Sequence, residues 1–223
     1  MNYNAESTVV RSQQSAVQTN KLLRNTYSLL AMTLLFSAMT AGVSMALNLP
    51  HPGIIITLVG YFGLLFLTTK LRNSAWGIVS VFALTGFMGL TLGPIVNAYL
   101  GLPNGPQIVM QALGGTGIIF IALSAYAVKS EKDFSFMGGF LFVGILVAFL
   151  ASLAAFFFEM PGLSLAVSAM FVLLMAGLIL FETSQIVNGG ETNYIMATIT
   201  LYVSIYNLFV SLLQLIGAFS GDD

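Results

Sequence analysis

The chain has no cysteine and a single histidine among its 223 residues. Without cysteine there is no disulfide, thiolate metal site or thiol nucleophile, and one imidazole cannot build a histidine-rich zinc or iron centre. Charge is nearly as scarce. Only 7% of the residues are charged, against about 25% in an ordinary soluble domain, too few to cover a water-facing surface. Seven basic residues against eight acidic ones leave no cationic surplus for a phosphate backbone, which excludes a nucleic-acid partner. No HExxH, Walker loop, dinucleotide fingerprint or Ser/His/Asp arrangement is present. The sequence therefore offers no catalytic residues, no metal site and no cofactor. What it has in abundance is apolar surface, 57% of residues, and that places it in a lipid bilayer.

About 20 mainly apolar residues cross a hydrocarbon core of about 30 Å as a helix. On that basis the sequence predicts an all-α membrane protein of seven transmembrane helices, near residues 22–47, 53–69, 76–100, 107–128, 134–158, 163–187 and 194–219. The breaks carry turn chemistry: Asn48-Leu49-Pro50-His51-Pro52-Gly53, Gly101-Leu102-Pro103-Asn104-Gly105-Pro106, Met160-Pro161-Gly162 and Asn188-Gly189-Gly190. Loops this short predict that each helix lies antiparallel beside the next. Residues 1–21 are too polar for a core and lack a signal peptide's apolar stretch, so they read as a flexible cytosolic tail. Residues 22–223 then form a single seven-helix domain, its first helix an uncleaved anchor.

Two of the helices carry polar stripes. At about 100° per residue, Thr26, Thr33, Ser37, Thr40, Ser44 and Asn48 fall within about 80° of one another on the first. They read as helix–helix glue or as a solute path. Asn193, Thr200, Ser204, Asn207, Ser211 and Gln214 fall within about 80° on the last. Side-chain amides cost more in an apolar core than hydroxyls do, so this stripe reads as an inter-helix hydrogen-bond network or as the wall of a polar cavity. Glycine supplies the other packing device, since helices in lipid associate by close approach. Gly89-Leu-Thr-Leu-Gly93 is a GxxxG, and Gly114-Gly115, Gly138-Gly139 and Gly144 offer further contacts. Pro94, directly after Gly93, is expected to kink or end the third helix.

Glu182 is the one acidic residue well inside a predicted span, and an intramembrane carboxyl is a functional candidate by default. Because ionising a buried carboxyl is costly, it reads as a proton-sensitive gate; the alternative is a structural carboxylate at a wet helix end or one hydrogen-bonded by the seventh helix. If the last hairpin turns near residue 193, Glu182 lies opposite Ser204. Glu159 and Glu191 sit at loop edges, and His51 lies between two prolines in a turn, all three solvated on the simplest reading.

The run Gly77-Ile78-Val79-Ser80, then Gly89-x-x-Leu92-Gly93-Pro94-x-Val96, then Ala112-x-x-x-Thr116 with Phe120, resembles the signature of the Bax inhibitor family of membrane proteins. Gly89, Gly93, Pro94 and Thr116 are its packing positions. Gly117 departs from it, standing where the family usually has alanine. Lys21-Leu-Leu-Arg24-Asn25-Thr26-Tyr27, Phe181-Glu182-Thr183-Ser184-Gln185 and Leu201-Tyr202-Val203-Ser204-Ile205-Tyr206-Asn207-Leu208-Phe209 extend the resemblance over nearly the whole chain beyond the tail. It implies six helices surrounding a central one. It also implies two functions. A calcium-leak branch uses a pair of buried aspartates on the last two helices as a pH-sensitive latch; here Glu182 matches the first position, but the second is Ser204. One carboxyl facing a hydroxyl cannot share a proton as a like-charged pair does. A pH-sensitive calcium or cation leak is thereby the secondary expectation, with Glu182, Ser204 and Asn207 as the ion-sensing candidates and weak cation binding at most. A bacterial inner-membrane branch is similar to a modulator of FtsH, a membrane-anchored AAA protease, acting as a slowly processed substrate that restrains it. This regulatory, non-enzymatic role is the primary expectation. Its partners are the FtsH-like protease and the lipid bilayer.

Orientation follows from the basic residues. Arg11, Lys21, Arg24, Lys70, Arg72, Lys129 and Lys132 all fall on one side of a seven-span layout, and the other side has none. The N-terminus is expected in the cytoplasm and the C-terminus, with Asp222 and Asp223, in the periplasm of a bacterial inner membrane. A reporter enzyme that functions only outside the cytoplasm, fused after Asp223, should be active; activity only from a cytosolic reporter at that position would invert the layout.

Overall fold

The structure is a computed structural model that describes residues 3–220, with side chains from residue 17 onward. Its seven long helices are α1 (Tyr3–Ala46), α2 (Ile54–Leu71), α3 (Trp76–Leu100), α4 (Gly105–Ser130), α5 (Gly138–Phe157), α6 (Pro161–Val187) and α7 (Tyr194–Ser220). A single 3-10 turn, Ser135–Met137, precedes α5. Every one of the seven contains a stretch long and apolar enough to cross a membrane; in α1 that stretch is Val17–Ala46. The spans agree with the sequence reading to within a few residues except at the amino end. There the helix starts at Tyr3 rather than near residue 22, because residues 3–21 contain neither proline nor glycine to stop it. Met1, Asn2, Asp222 and Asp223 lie outside the described residues.

The helices group as two triplets and a seventh member. In the first triplet α1 and α2 both pack on α3, and in the second α4 and α5 both pack on α6. Helix α7 lies between them, packed against α1, α3, α4 and α6. This corrects the expectation that consecutive helices always lie side by side: α3 comes between α1 and α2, and α6 between α4 and α5. The segments 47–53 and 131–137 have the reach to step across a neighbour. Three of the connections bend through left-handed residues, Asn48, Glu131 and Glu159, with φ of 48°, 51° and 50°. The resemblance implies α2 and α5 as further neighbours of α7, completing a ring; the packed contacts comprise the four helices named.

Close approach holds α1 to α3. A side chain at Gly89 would collide with the Ser37 carbonyl and Thr40 hydroxyl, and one at Gly93 with Ser44 and the Ala41 carbonyl. The GxxxG pair thus brings two backbones together, as small residues do in lipid. Polar stitches add to it. The Ser37 and Tyr202 hydroxyls are 2.6 Å apart, and Tyr202 also donates to the Thr85 carbonyl at 3.3 Å, so one tyrosine joins α1, α3 and α7. Thr33 and Thr40 bond back to their own helix. The stripe on α1 therefore acts as helix–helix glue at Ser37 and Ser44, while Thr33 and Thr40 satisfy themselves within α1.

Pro94 neither ends nor interrupts α3, which continues to Leu100. Proline has no N–H to donate to the carbonyl four residues earlier, here that of Leu90. The vacancy is filled from the neighbouring helix, where the Ser44 hydroxyl donates to the Leu90 carbonyl at 2.9 Å. Ser44→Ala should accordingly destabilise the bundle by about 1–3 kcal/mol, the usual cost of orphaning a buried polar group. In a Pro94→Ala background, where residue 94 again donates to Leu90, the same substitution should cost less than half as much. Equal costs in the two backgrounds, measured by denaturant unfolding in detergent, would refute this compensation.

Candidate functional site

The last hairpin carries the candidate ionisable group. Glu182 lies five residues before the end of α6, is 6% exposed, and its Oε1 has no hydrogen-bond partner among the described residues. A buried acceptor without a donor is uncommon. The next residue, Thr183, has its hydroxyl 3.4 Å from that of Tyr27 on α1 and 3.5 Å from that of Ser124 on α4. Glu182 thus sits in a layer where α1, α4 and α6 converge. A second orphan, the Thr26 hydroxyl, belongs to α1 one residue from Tyr27, and the Thr26 carbonyl accepts from Thr198 of α7 at 3.3 Å.

The structure does not join Glu182 to Ser204 or Asn207. The Ser204 hydroxyl donates to the Thr200 carbonyl of its own helix at 2.7 Å, and the Asn207 amide to the Val203 carbonyl at 2.8 Å. The reason is register. Helix α6 ends at Val187 and α7 starts at Tyr194, so the hairpin reverses between them and Glu182 lies level with Ile199. Ser204 is five residues further on, about 7.5 Å along the axis at 1.5 Å per residue. The expected turn centre at residue 193 is too late.

Asn193 itself belongs to the turn rather than to the membrane stripe. Its Oδ1 accepts the N–H groups of Ile195 and Met196, capping α7. Its Nδ2 donates to Asn73 Oδ1 and to the Arg72 carbonyl, tying the α2–α3 turn to that cap. A matching clamp closes the second triplet. Ser184, almost fully buried, accepts from the Phe134 N–H at 3.0 Å and donates to the Lys132 carbonyl at 2.9 Å, and Asn188 reinforces it through the same carbonyl. Both clamps belong to the end of the bundle that carries Lys70, Arg72, Lys129 and Lys132. At that end Asp133 is fully exposed, and the Ser135 N–H, 2.8 Å from its Oδ1, holds its carboxyl below the ordinary value.

The remaining α7 stripe divides by depth. At the far end Gln214 accepts from Ser168 at 2.7 Å and donates to Ser164 at 2.5 Å, a network joining α7 to α6. In the middle, Thr200 and Asn207 face a cavity of about 520 Å³ bounded by α2, α5, α6 and α7. A second cavity of about 310 Å³ lies between α1 and α4 on the other side of α7, and Thr116 lines it while donating to the Ala112 carbonyl. Tyr206 borders both cavities and lies 3.4 Å from the Thr91 hydroxyl of α3. Glu182 and Ser204 line neither. The inter-helix network reading therefore fits Gln214, while the cavity that Thr200 and Asn207 face is lined mainly by apolar side chains rather than being the polar cavity expected. The positions of the paired cavities were missed because they lie along the seams between triplets, a tertiary arrangement with no local sequence signal. Among the described residues no three His, Cys, Asp or Glu side chains come together as a metal site.

Comparison with known proteins places this architecture. Residues 19–221 match the family described as "Inhibitor of apoptosis-promoting Bax1". The chain is 57% identical to an uncharacterized protein of Pseudomonas aeruginosa, over 91% of both chains. It is 55% identical to the Escherichia coli protein named modulator of FtsH protease YccA, over 93% of this chain and 94% of that one. An uncharacterized membrane protein of Vibrio cholerae is 46% identical over 95% and 96% of the two. With its signature glycines buried in the α1–α3 contact and the match running through all seven helices, the chain belongs to the Bax inhibitor family.

Proposed function

We propose that this protein is a multi-pass inner-membrane regulator of an FtsH-like AAA protease, non-enzymatic, and acting as a substrate that the protease processes slowly. The observation that carries the reading is the 55% identity, along nearly the full length of both chains, to the modulator of FtsH protease YccA. Two physical features support it. The segment before Val17 precedes the membrane-length part of α1 and is too polar to enter hydrocarbon. A polar segment of this kind ahead of the first membrane span would offer a processive protease an end to grip. The bundle behind it is closely stitched by glycine contacts and the Tyr202, Ser184 and Gln214 hydrogen bonds, which supports slow extraction. The clustering of Lys and Arg at the end of the bundle that this segment joins supports a cytosolic position for it, on the positive-inside rule. Deletion of residues 2–15 should lengthen the protein's half-life in cells at least twofold and relieve its restraint of the protease; unchanged turnover would overturn the grip mechanism.

A second reading, a proton-sensitive cation leak, is favoured by the unpartnered buried Oε1 of Glu182. Ser204 in place of a second carboxyl weighs against it. In liposomes loaded with a calcium dye, the purified protein should give no proton-dependent flux. A flux that Glu182→Gln abolishes would reverse the order of the two readings.

A further inference from the structure

The larger cavity has the shape and surroundings of a lipid site. Its position is the seam between the triplets where α2 faces α5. Neither helix packs on the other; across the gap the rings of Phe62 and Phe149 approach only edge to face, with centroids 6.1 Å apart. On its inner side the floor is α7, through Val203 and Asn207. On its outer side the flanking residues Val59, Phe66, Phe142 and Leu146 are exposed, which in a membrane means exposed to hydrocarbon. The slot therefore opens sideways into the bilayer.

Water is a poor occupant. Filling 520 Å³ would take about 17 waters at ~30 Å³ each, and each needs two to four polar partners. The walls supply few: beyond the Thr57 hydroxyl on the Gly53 carbonyl, Asn207 Nδ2 on Val203 and the Tyr206 hydroxyl beside Thr91, the polar lining groups are the Tyr61 and Thr200 hydroxyls and the rest of the Asn207 amide, too few for that many waters. An empty slot is equally unfavourable, since its walls lose their dispersion contacts. The slot is also elongated along the helices. Thr57 to Leu65 on α2 and Thr200 to Asn207 on α7 each correspond to about 10–12 Å at 1.5 Å per residue. That is close to the depth of one leaflet, half of a core of about 30 Å.

We infer that the α2–α5 slot binds one acyl chain of a membrane phospholipid, which packs against α7 and takes the place of direct packing between α2 and α5. The chain is a structural ligand rather than a passing neighbour, because α2 has no packed partner other than α3 and the lipid covers its inner face. Bulk lipid surrounds the opening, so even modest affinity keeps the slot filled.

The test uses full-length protein extracted from membranes in mild detergent and washed free of bulk lipid. Native mass spectrometry and phosphorus analysis should find about one phospholipid retained per chain, and adding phospholipid to fully stripped protein should raise its melting temperature. Ile145→Trp, which fills the slot, should cut retention at least fivefold and abolish the lipid-dependent rise. Leu146→Trp at the mouth gives the same readout if the first variant folds poorly. Ile118→Trp, on the exposed face of α4, should change neither. The inference is overturned if retention is unaffected by the slot variants, if the control loses lipid equally, or if a photocrosslinker at position 146 captures a polypeptide instead of phospholipid.

Discussion

Hydrocarbon surrounds a transmembrane helix with the same apolar character that a neighbouring leucine would offer, so burial against another helix brings little hydrophobic gain. Association has to come from how close two backbones can approach and from polar groups that hydrocarbon cannot satisfy. Both devices meet in α1 and α3. Gly89 and Gly93 remove the side chains that would hold the two helices apart, and the approach lets the short Ser44 side chain reach the Leu90 carbonyl. The glycine contact is thus the condition for that stitch, while Tyr202 of α7 reaches both helices, through Ser37 on α1 and the Thr85 carbonyl on α3.

Pro94 shows how the two devices become interdependent. By itself it breaks a helix bond in a medium with no water to repair it. Next to Gly93 it does so where α1 comes near enough to donate from Ser44. The Gly-Pro pair therefore converts a local defect into a bond between helices. The sparse charges Lys70, Arg72, Lys129 and Lys132 gather at one end of the bundle, where the Asn193 and Ser184 clamps fasten the turns.

How much of this was legible in the sequence depends on the range of the interaction. The seven spans follow from hydropathy, and the Gly89–Gly93 contact from a four-residue spacing on one helix face; both are local. The early start of α1 at Tyr3 was missed because polarity argues against a membrane span but not against a helix. The assignment of Asn193 to a membrane stripe failed for a related reason. Angular position continues smoothly past a helix end, whereas the capping role depends on where the helix begins. Pairing Glu182 with Ser204 failed by a few residues of turn position, enough to move a side chain by more than a full helical turn. Thr200 and Asn207 pointed to a cavity wall on α7, but where the two cavities lie had no local signal, since each is bounded by helices from both triplets.

The same triplet arrangement explains why the bundle has seams. Each triplet is internally close-packed and each reaches α7 through two of its helices, α1 and α3 on one side, α4 and α6 on the other. The third members, α2 and α5, stand outside that contact with apolar faces to spare. A soluble protein would collapse such a gap, because water penalises exposed apolar surface. In a bilayer that penalty vanishes, and a gap open to lipid costs little once a chain enters it. The slot beside Asn207 is thus a natural product of a fold assembled by close approach rather than by hydrophobic collapse. The same asymmetry gives the bundle its strongest and weakest joints: the α1–α3 contact combines glycine approach with the Ser44 bond, whereas α2 rests on α3 alone among its packed neighbours. On the proposed extraction from the amino end, the α1–α3 interface would be the step that resists.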